Sequence, residues 1–441
     1  IILSGATGSV TNLSGGTQEI SSGATGNVTN LSGGTQHMLV GATGSVTNLS
    51  GGTQIIYDKA VGTIDTMETT VILDSNGKVI GYGGEQDIYG GGTGIINILS
   101  RGFQMVGVGG TGTVTAMLGG QQDVLGRVVS TTVSGGAQVL LNRAVVEKNV
   151  LAGGTQYVYG ASLTADARDA AELTAQAALL DNGIQVVING GTVAGFILSS
   201  GTLNGKATSG VQIVRAYGAA VSTEIAAGGT QIIRSGGTIS SNTLAGGTQI
   251  LDYGASLTAD ASGAALATQA AVIANGTQII QGQVNQNNIY MASATGFILS
   301  SGTVNDTATS GLQIVSVYGV AVSTEIDAGG TQIISSGGTA SANTINGGAQ
   351  TISAGGMASA TTINAQGVQN ISSGGTASAT TINAQGVQNI SSGGTAKDTI
   401  INNQGTQNIL SSGLADGVTI NAGGTQNLQS GGTAFNVQVA Q

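Results

Sequence analysis

One glutamine returns along the whole chain at almost constant spacing. Gln369, Gln388, Gln407 and Gln426 stand 19 residues apart, and Gln18, Gln36 and Gln54 stand 18 apart. The series has twenty members, the others at 86, 104, 122, 138, 156, 185, 212, 231, 249, 278, 313, 332 and 350. The residue two places after each is apolar, from Ile20, Met38 and Ile56 to Ile371, Ile390, Ile409 and Leu428. The residue between is unrestricted: Glu19, His37, Asp87, Tyr157, Ile232, Asn389. In, out, in is the period of a β-strand. Strands of one inward register, repeated about once per turn of a coil, predict a solenoid. Function in such a chain belongs to a long surface rather than to one pocket.

Two more columns complete the turn. An apolar residue stands five or six places before the glutamine: Leu13, Leu31, Leu49, Leu151, Ile225, Ile326, Ile363, Ile382, Ile401 and Ile420. A small one follows it: Ala340, Ala358, Ala377, Ala396, Ala415 and Ala434. Three inward columns per turn predict an all-β, right-handed parallel β-helix with triangular turns of about 19 residues. An inward carboxamide is costly alone, but in a stack each one bonds to those above and below. Asn346, Asn364, Asn383, Asn402 and Asn421 can do the same at a bend.

The pattern divides one continuous solenoid, 1–441, into four stretches. Residues 1–54 hold 18-residue turns, 55–150 irregular turns, 151–345 a duplicated block with inserts, and 346–441 regular 19-residue turns. The duplication is visible as GFILSSGTLNGKATSGVQI at Gly195–Ile213 and GFILSSGTVNDTATSGLQI at Gly296–Ile314. Both 29-residue gaps, Gln156–Gln185 and Gln249–Gln278, carry GASLTAD. The Ala-rich stretch after the first copy reads either as a short helix pairing Arg168 with Glu172 or as an enlarged extended turn. Gly263 in the second copy favours the extended form. The intervals Gln54–Gln86 and Gln278–Gln313 are wide enough to hide an unmarked turn.

Composition excludes several functions. A formal charge of −10 and 7% charged residues leave no basic patch for nucleic acid. Hydrophobic residues make up 40%, the wrong balance for disorder. There is no Cys, hence no disulfide and no thiolate metal site, and 77 Gly with 0 Pro is not collagen. No apolar run of 18 residues occurs, no signal peptide is visible, and numbering from Ile1 reads as a mature piece or fragment.

Catalytic constellations are also missing. The single His, His37, occupies the variable outward position and reads as a surface residue. The densest acidic stretches, Asp58–Asp74 and Asp166–Glu172, do not follow the Gln period and read as solvated loops rather than a carboxylate pair. Gly91–Gly94 and Gly109–Thr113 lack the Lys-Ser/Thr of a phosphate loop. Asn12, Asn30 and Asn48 form N-glycosylation sequons that repetition alone generates. No enzyme activity, metal or cofactor is expected.

What does repeat is a hydroxyl before Gly, at Ser14, Ser32, Ser50, Ser134, Ser235, Ser336, Ser373, Ser392 and Ser430. Turn chemistry accounts for Ser at bends; a row of sugar acceptors or a polar adhesive face accounts for it equally. Asn370, Asn389, Asn408 and Asn427 form a second outward row, one per turn.

SGGTQNISSGGTASATTINAQG resembles the strand-loop-strand repeat of autotransporter passenger domains, in particular the self-associating and diffuse-adherence adhesins of Gram-negative bacteria. The motif GGTQ-x-I/V-x-S-G-G-T-A-x-x-T-x-I-N is clear over Ala328–Ala440, recognisable over Ile1–Gln54 and Val150–Gln350, and weak over Ile55–Val150. The resemblance implies export across the outer membrane, display at the cell surface, and adhesion or cell–cell aggregation with biofilm formation. It also implies O-heptosylation of Ser or Thr by a glycosyltransferase of the producing cell, with the nine serines above as candidates. The membrane barrel of that family is absent from these 441 residues, and the first turns read GATGSVTNLS where the motif has GGTASATTIN.

The expected function is therefore a surface adhesin with two classes of partner. One is a second copy, bound antiparallel through Asn370, Asn389, Asn408 and Asn427; the other is host surfaces or glycans. A stalk or filament subunit without a ligand is the alternative, and a carbohydrate-active β-helix the third reading.

Overall fold

The computed structural model describes residues 1–68, 71–73, 79–82, 84–166, 176–177, 179–203, 206–252, 254–260, 269–270, 272–273, 276–285, 288–304 and 307–440. Every regular element among them is a strand, and the strands stack as a parallel β-solenoid of about twenty turns. Packing divides the chain into two units. The first is Ile1–Ile213 with Tyr217–Ala220, and the second is Val214–Ala216 with Val221–Gln441.

In the first unit, strands carrying the marker glutamine pair in parallel and in identical register. Gln18 opposes Gln36, Gln36 opposes Gln54, and the series continues through Gln86, Gln104, Gln122, Gln138, Gln156 and Gln185. The second unit repeats this from Gln231 to Gln426. Alternation is as read: Gln388 and Ile390 are 0% exposed and Asn389 between them is half-buried. Leu428, on the last turn, is the exception at 56% exposed. The other two columns point inward as well: Leu31, Leu49, Ile382 and Ile401 are buried, and so are Ala377 and Ala396.

The glutamines satisfy one another. Within each unit, every Nε2 after the first donates to the Oε1 one turn earlier, at 2.7 Å for Gln388 to Gln369 and again for Gln407 to Gln388. The ladder crosses the long gaps: Gln86 donates to Gln54 at 2.7 Å and Gln313 to Gln278 at 2.8 Å. No turn is hidden in those intervals, although they are wide enough for one. The surplus residues leave the coil as antiparallel hairpins, Val71–Leu73 with Val79–Tyr82 and Gln283–Asn285 with Asn288–Tyr290. A third pair, Ser301–Val304 against 307–310, occupies the same interval. Its duplicate, Ser200–Leu203 against 206–209, accounts for the 27 residues between Gln185 and Gln212.

The GASLTAD inserts are extended where described. Ser162–Asp166 pairs in parallel with Gln176–Ala177, and Ser256–Asp260 with Gln269–Ala270. Arg168, Glu172 and Gly263 lie outside the described residues.

Candidate adhesive faces and surface sites

Two outward asparagine rows are built by the stack. Parallel, in-register strands place like residues one turn apart, within reach of a side-chain bond. Asn389 Nδ2 donates to Asn370 Oδ1, Asn408 to Asn389 and Asn427 to Asn408, each at 2.9 Å. At the bend, Asn364, Asn383, Asn402 and Asn421 each donate to the asparagine one turn earlier, at 2.7–2.8 Å. These side chains are half-buried, and Asn427 is exposed. Each Asn370-row carboxamide bonded on both sides keeps one N–H and one acceptor site unused by the ladder. The row is short. Thr351 and Ile333 occupy its two preceding positions, so asparagine covers four turns only.

The sequon asparagines behave alike: Asn30 donates to Asn12 at 2.7 Å and Asn48 to Asn30 at 3.0 Å.

The nine serines do not form one row. Ser14, Ser32, Ser50 and Ser134 stand four places before a marker glutamine; Ser235, Ser336, Ser373, Ser392 and Ser430 stand four places after one. They therefore occupy two different corners of the coil. All are exposed except Ser134, which is half-buried. At the second corner Ser336, Ser373 and Ser392 have left-handed backbones, with φ of 52°, 48° and 34°. Cross-turn bonds hold them there: Ser373 N–H donates to Ser392 O at 2.9 Å and Ser392 N–H to Ser411 O at 3.0 Å. The corner is thus rigid backbone presenting hydroxyls.

His37 is half-buried rather than fully exposed. Its ring meets Tyr57 edge-on at 5.7 Å, and Tyr57 stacks on Tyr89 at 6.0 Å. The tyrosines are neighbours because Gln86 stacks directly on Gln54. Together with Leu39 and Val40 the three rings line an open cavity of about 420 Å³.

Beside it, burial pushes the Asp87 carboxyl up to about 7, and the charge and hydrogen bond of Glu85 add to the shift. Asp87 Oδ1 is buried without a hydrogen-bond partner. The Asp87 charge in turn raises the Tyr89 hydroxyl. Asp123 is also raised by burial, with a hydrogen bond from Gln121 opposing the shift. This acidic pair sits at an outward strand position, outside both acidic stretches that composition singled out. Among the described residues no three His, Cys, Asp or Glu side chains converge as metal ligands.

A second cavity, of about 440 Å³, is lined by Arg215, Ala216, Arg234, Ser235 and Gln283. The sequence reading missed it, and missed the tyrosines. Tyr57, Tyr89, Arg215, Arg234 and Asp252 all lie three places after a marker glutamine. Following that column would have found both sites.

No protein-family model matches the sequence, and no curated protein matches it. Among solved structures the chain is similar to a hyper-glycosylated fragment of TibA whose glycosylation was catalysed by TibC. Identity is 20%, the alignment covers 97% of this chain and 99% of that one, and the TM-score is 0.30.

Proposed function

We propose that this chain is a bacterial surface adhesin of the self-associating autotransporter kind, displayed outside the outer membrane and not an enzyme. The repeat resemblance motivates the class. The observation that carries the self-association is the outward row Asn370, Asn389, Asn408 and Asn427. Its ladder fixes the carboxamides in one orientation and leaves hydrogen-bonding capacity directed away from the coil. A like row on an antiparallel copy is complementary to it, donor to acceptor. Each exposed bond is worth about 0.5–1.5 kcal/mol. Four are weak alone, and many copies between two cells add by avidity. Cell–cell aggregation, biofilm formation and attachment to host surfaces or glycans follow from that mode.

The exposed serines are the proposed acceptors for O-heptosylation by a glycosyltransferase of the producing cell. Ser373 and Ser392 are favoured by their rigid, protruding corner, and Ser134 is disfavoured by its half-burial.

Two experiments test these readings. Cells displaying a chain with Asn370, Asn389 and Asn408 replaced by Lys should clump far less than the parent, in moderate salt as in low salt. Equal clumping removes that face from the mechanism. The 441-residue chain itself, produced in its native host, should exceed its sequence mass of 42.8 kDa by a ladder of sugar units. A spectrum at the chain mass alone removes the modification.

A further inference from the structure

The 440 Å³ cavity in the second unit is lined by none of the asparagine-row residues. It gathers two of the chain's 11 Lys and Arg side chains on adjacent turns, in a protein of net charge −10. The turns are adjacent because Arg234 N–H donates to Val214 O at 2.9 Å and Ala216 N–H to Ser235 O at 3.0 Å.

The charges there are unequally matched. Asp252, 3% exposed, takes Arg234 Nε at 3.2 Å on one oxygen and Gln283 Nε2 at 2.8 Å on the other. That carboxylate is committed to Arg234. Among the described residues Arg215 has no such counter-ion and its buried Nε has no hydrogen-bond partner. Two guanidinium groups and one carboxylate leave one positive charge over the cavity. A partly desolvated cation without a counter-ion is costly, and an incoming anion would offset its charge.

We propose that this cavity binds a carboxylate-bearing sugar. The outer edge of a guanidinium, formed by its two terminal nitrogens, is a planar fork that matches a planar carboxylate with two parallel bonds. The Ser235 hydroxyl and the Gln283 carboxamide offer donors and acceptors suited to ring hydroxyls, and the Ala216 methyl offers an apolar contact to a ring face. The volume falls in the range of small-molecule sites, roughly 300–1,000 Å³, and is generous for a bare oxyanion. Ser235 then serves as a wall of this site, and an O-linked sugar on it would compete with the ligand.

The test uses the purified chain in calorimetric titrations, so cell clumping does not enter. Glucuronic, galacturonic and N-acetylneuraminic acids are the probes, with galactose and inorganic sulfate as controls. At least one sugar acid should bind about tenfold or more tightly than galactose and sulfate, and its affinity should fall with added salt. Arg215→Gln should weaken that binding about tenfold or more, and Arg215→Lys, which keeps the charge but not the fork, should weaken it by less. Thermal unfolding of both variants checks that the solenoid is intact; if Arg215→Gln does not fold, Arg215→Lys carries the comparison. Binding by none of the three acids overturns the proposal. Galactose as tight as the acids, sulfate as tight as the acids, or undiminished binding by a folded Arg215 variant does so equally.

Discussion

The 18-residue turns near the N-terminus and the 19-residue turns of 349–420 each stack on a glutamine ladder but turn their corners differently. In the first set, a seven-residue strand such as Thr43–Leu49 buries Gly44, Val46 and Leu49, so Thr47 and Asn48 both face out at the corner. In the second set, Ala377, Thr380 and Ile382 are buried, and the corner is Ser378–Ala379 with Ala379 at φ 52°. The additional residue enters elsewhere, in the bend before the glutamine strand. Ser-Gly-Gly-Thr at 50–53 becomes Asn-Ala-Gln-Gly-Val at 383–387, with Gln385 at φ 62°.

The core adjusts to match. A Cβ at Gly62 would lie 2.5 Å from Ile56 Cδ1 and 2.7 Å from Gln54 Oε1. Glycine there lets the carboxamide of the next turn reach backbone: Gln36 Nε2 donates to Gly26 O at 3.1 Å. With alanine at that place in the second unit, a buried polar side chain stands one corner away and reaches the glutamine in some turns, while among the described residues the Thr361 and Thr399 hydroxyls have no partner. Asn343 Nδ2 donates to Gln332 Oε1 at 2.9 Å, and Thr380 Oγ1 to Gln369 Oε1 at 3.5 Å. The lesson is that the glutamine and its apolar partner define the stack, while the rest of the turn is one of two packing solutions.

The largest expected effect tests what the two sets share. Ile390→Asp buries an unpaired carboxylate and should destabilise by several kcal/mol. Asn389→Asp removes only the donor to Asn370 and should cost about 1 kcal/mol. Equal thermal shifts would mean that the register is wrong.

Next comes a reciprocal exchange at the position where the sets differ. Gly62→Ala crowds Ile56 and Gln54, and Ala396→Gly leaves a small void and a freer chain. Each should cost about 1–2 kcal/mol by chemical denaturation. A neutral result for either would mean that the two solutions are interchangeable.

The third prediction separates the regions by pH. In the outward strand column, half-buried carboxyls such as Asp87 occur in the first unit, whereas turns 349–427 carry neutral Thr and Asn. Asp87 keeps its proton in the fold to about pH 7 but releases it near 3.8 when unfolded. Between those values the unfolded chain binds fewer protons, so stability is present at low pH and falls as pH rises from about 4 to 7. The carboxyl is only half-buried, so the loss should be about 1–2 kcal/mol after solvent screening. Asp87→Asn should flatten the slope of melting temperature against pH, whereas Asn389→Gln should leave it unchanged.

The smallest effect concerns the corner. Thr380→Val imports the residue type of the 18-residue turns and loses one long hydrogen bond, so it should stay within about 1 kcal/mol of the parent. Val46→Thr, which buries a hydroxyl with no provided partner, should cost more by the same assay.

Features that recur once per turn were readable from the sequence. The glutamine, its apolar partner, the Leu/Ile and Ala columns and the Asn346 row each repeat often enough to fix their face. Features that occur once were not. The hairpin at 71–82 interrupts the spacing, and a gap does not say whether its residues add a turn or leave the coil. The serines illustrate a different loss: Ser-Gly-Gly is one motif on two corners, and only its offset from the glutamine separates Ser50 from Ser373. The Arg215 and Tyr57 sites depend on unlike residues meeting across turns, which requires counting from the ladder rather than matching a repeat.

The most direct test of the account is hydrogen exchange of side-chain carboxamides, read by NMR on the folded chain. Gln388 and Gln407 are buried and bonded on both sides, and Asn427 is exposed at the end of its row. The Gln388 and Gln407 amide protons should exchange about a hundredfold or more slowly than those of Asn427, with Asn389 and Asn408 between. Glutamine protons exchanging as fast as those of Asn427 would contradict the inward ladder, and with it the outward asparagine face on which the proposed adhesion rests.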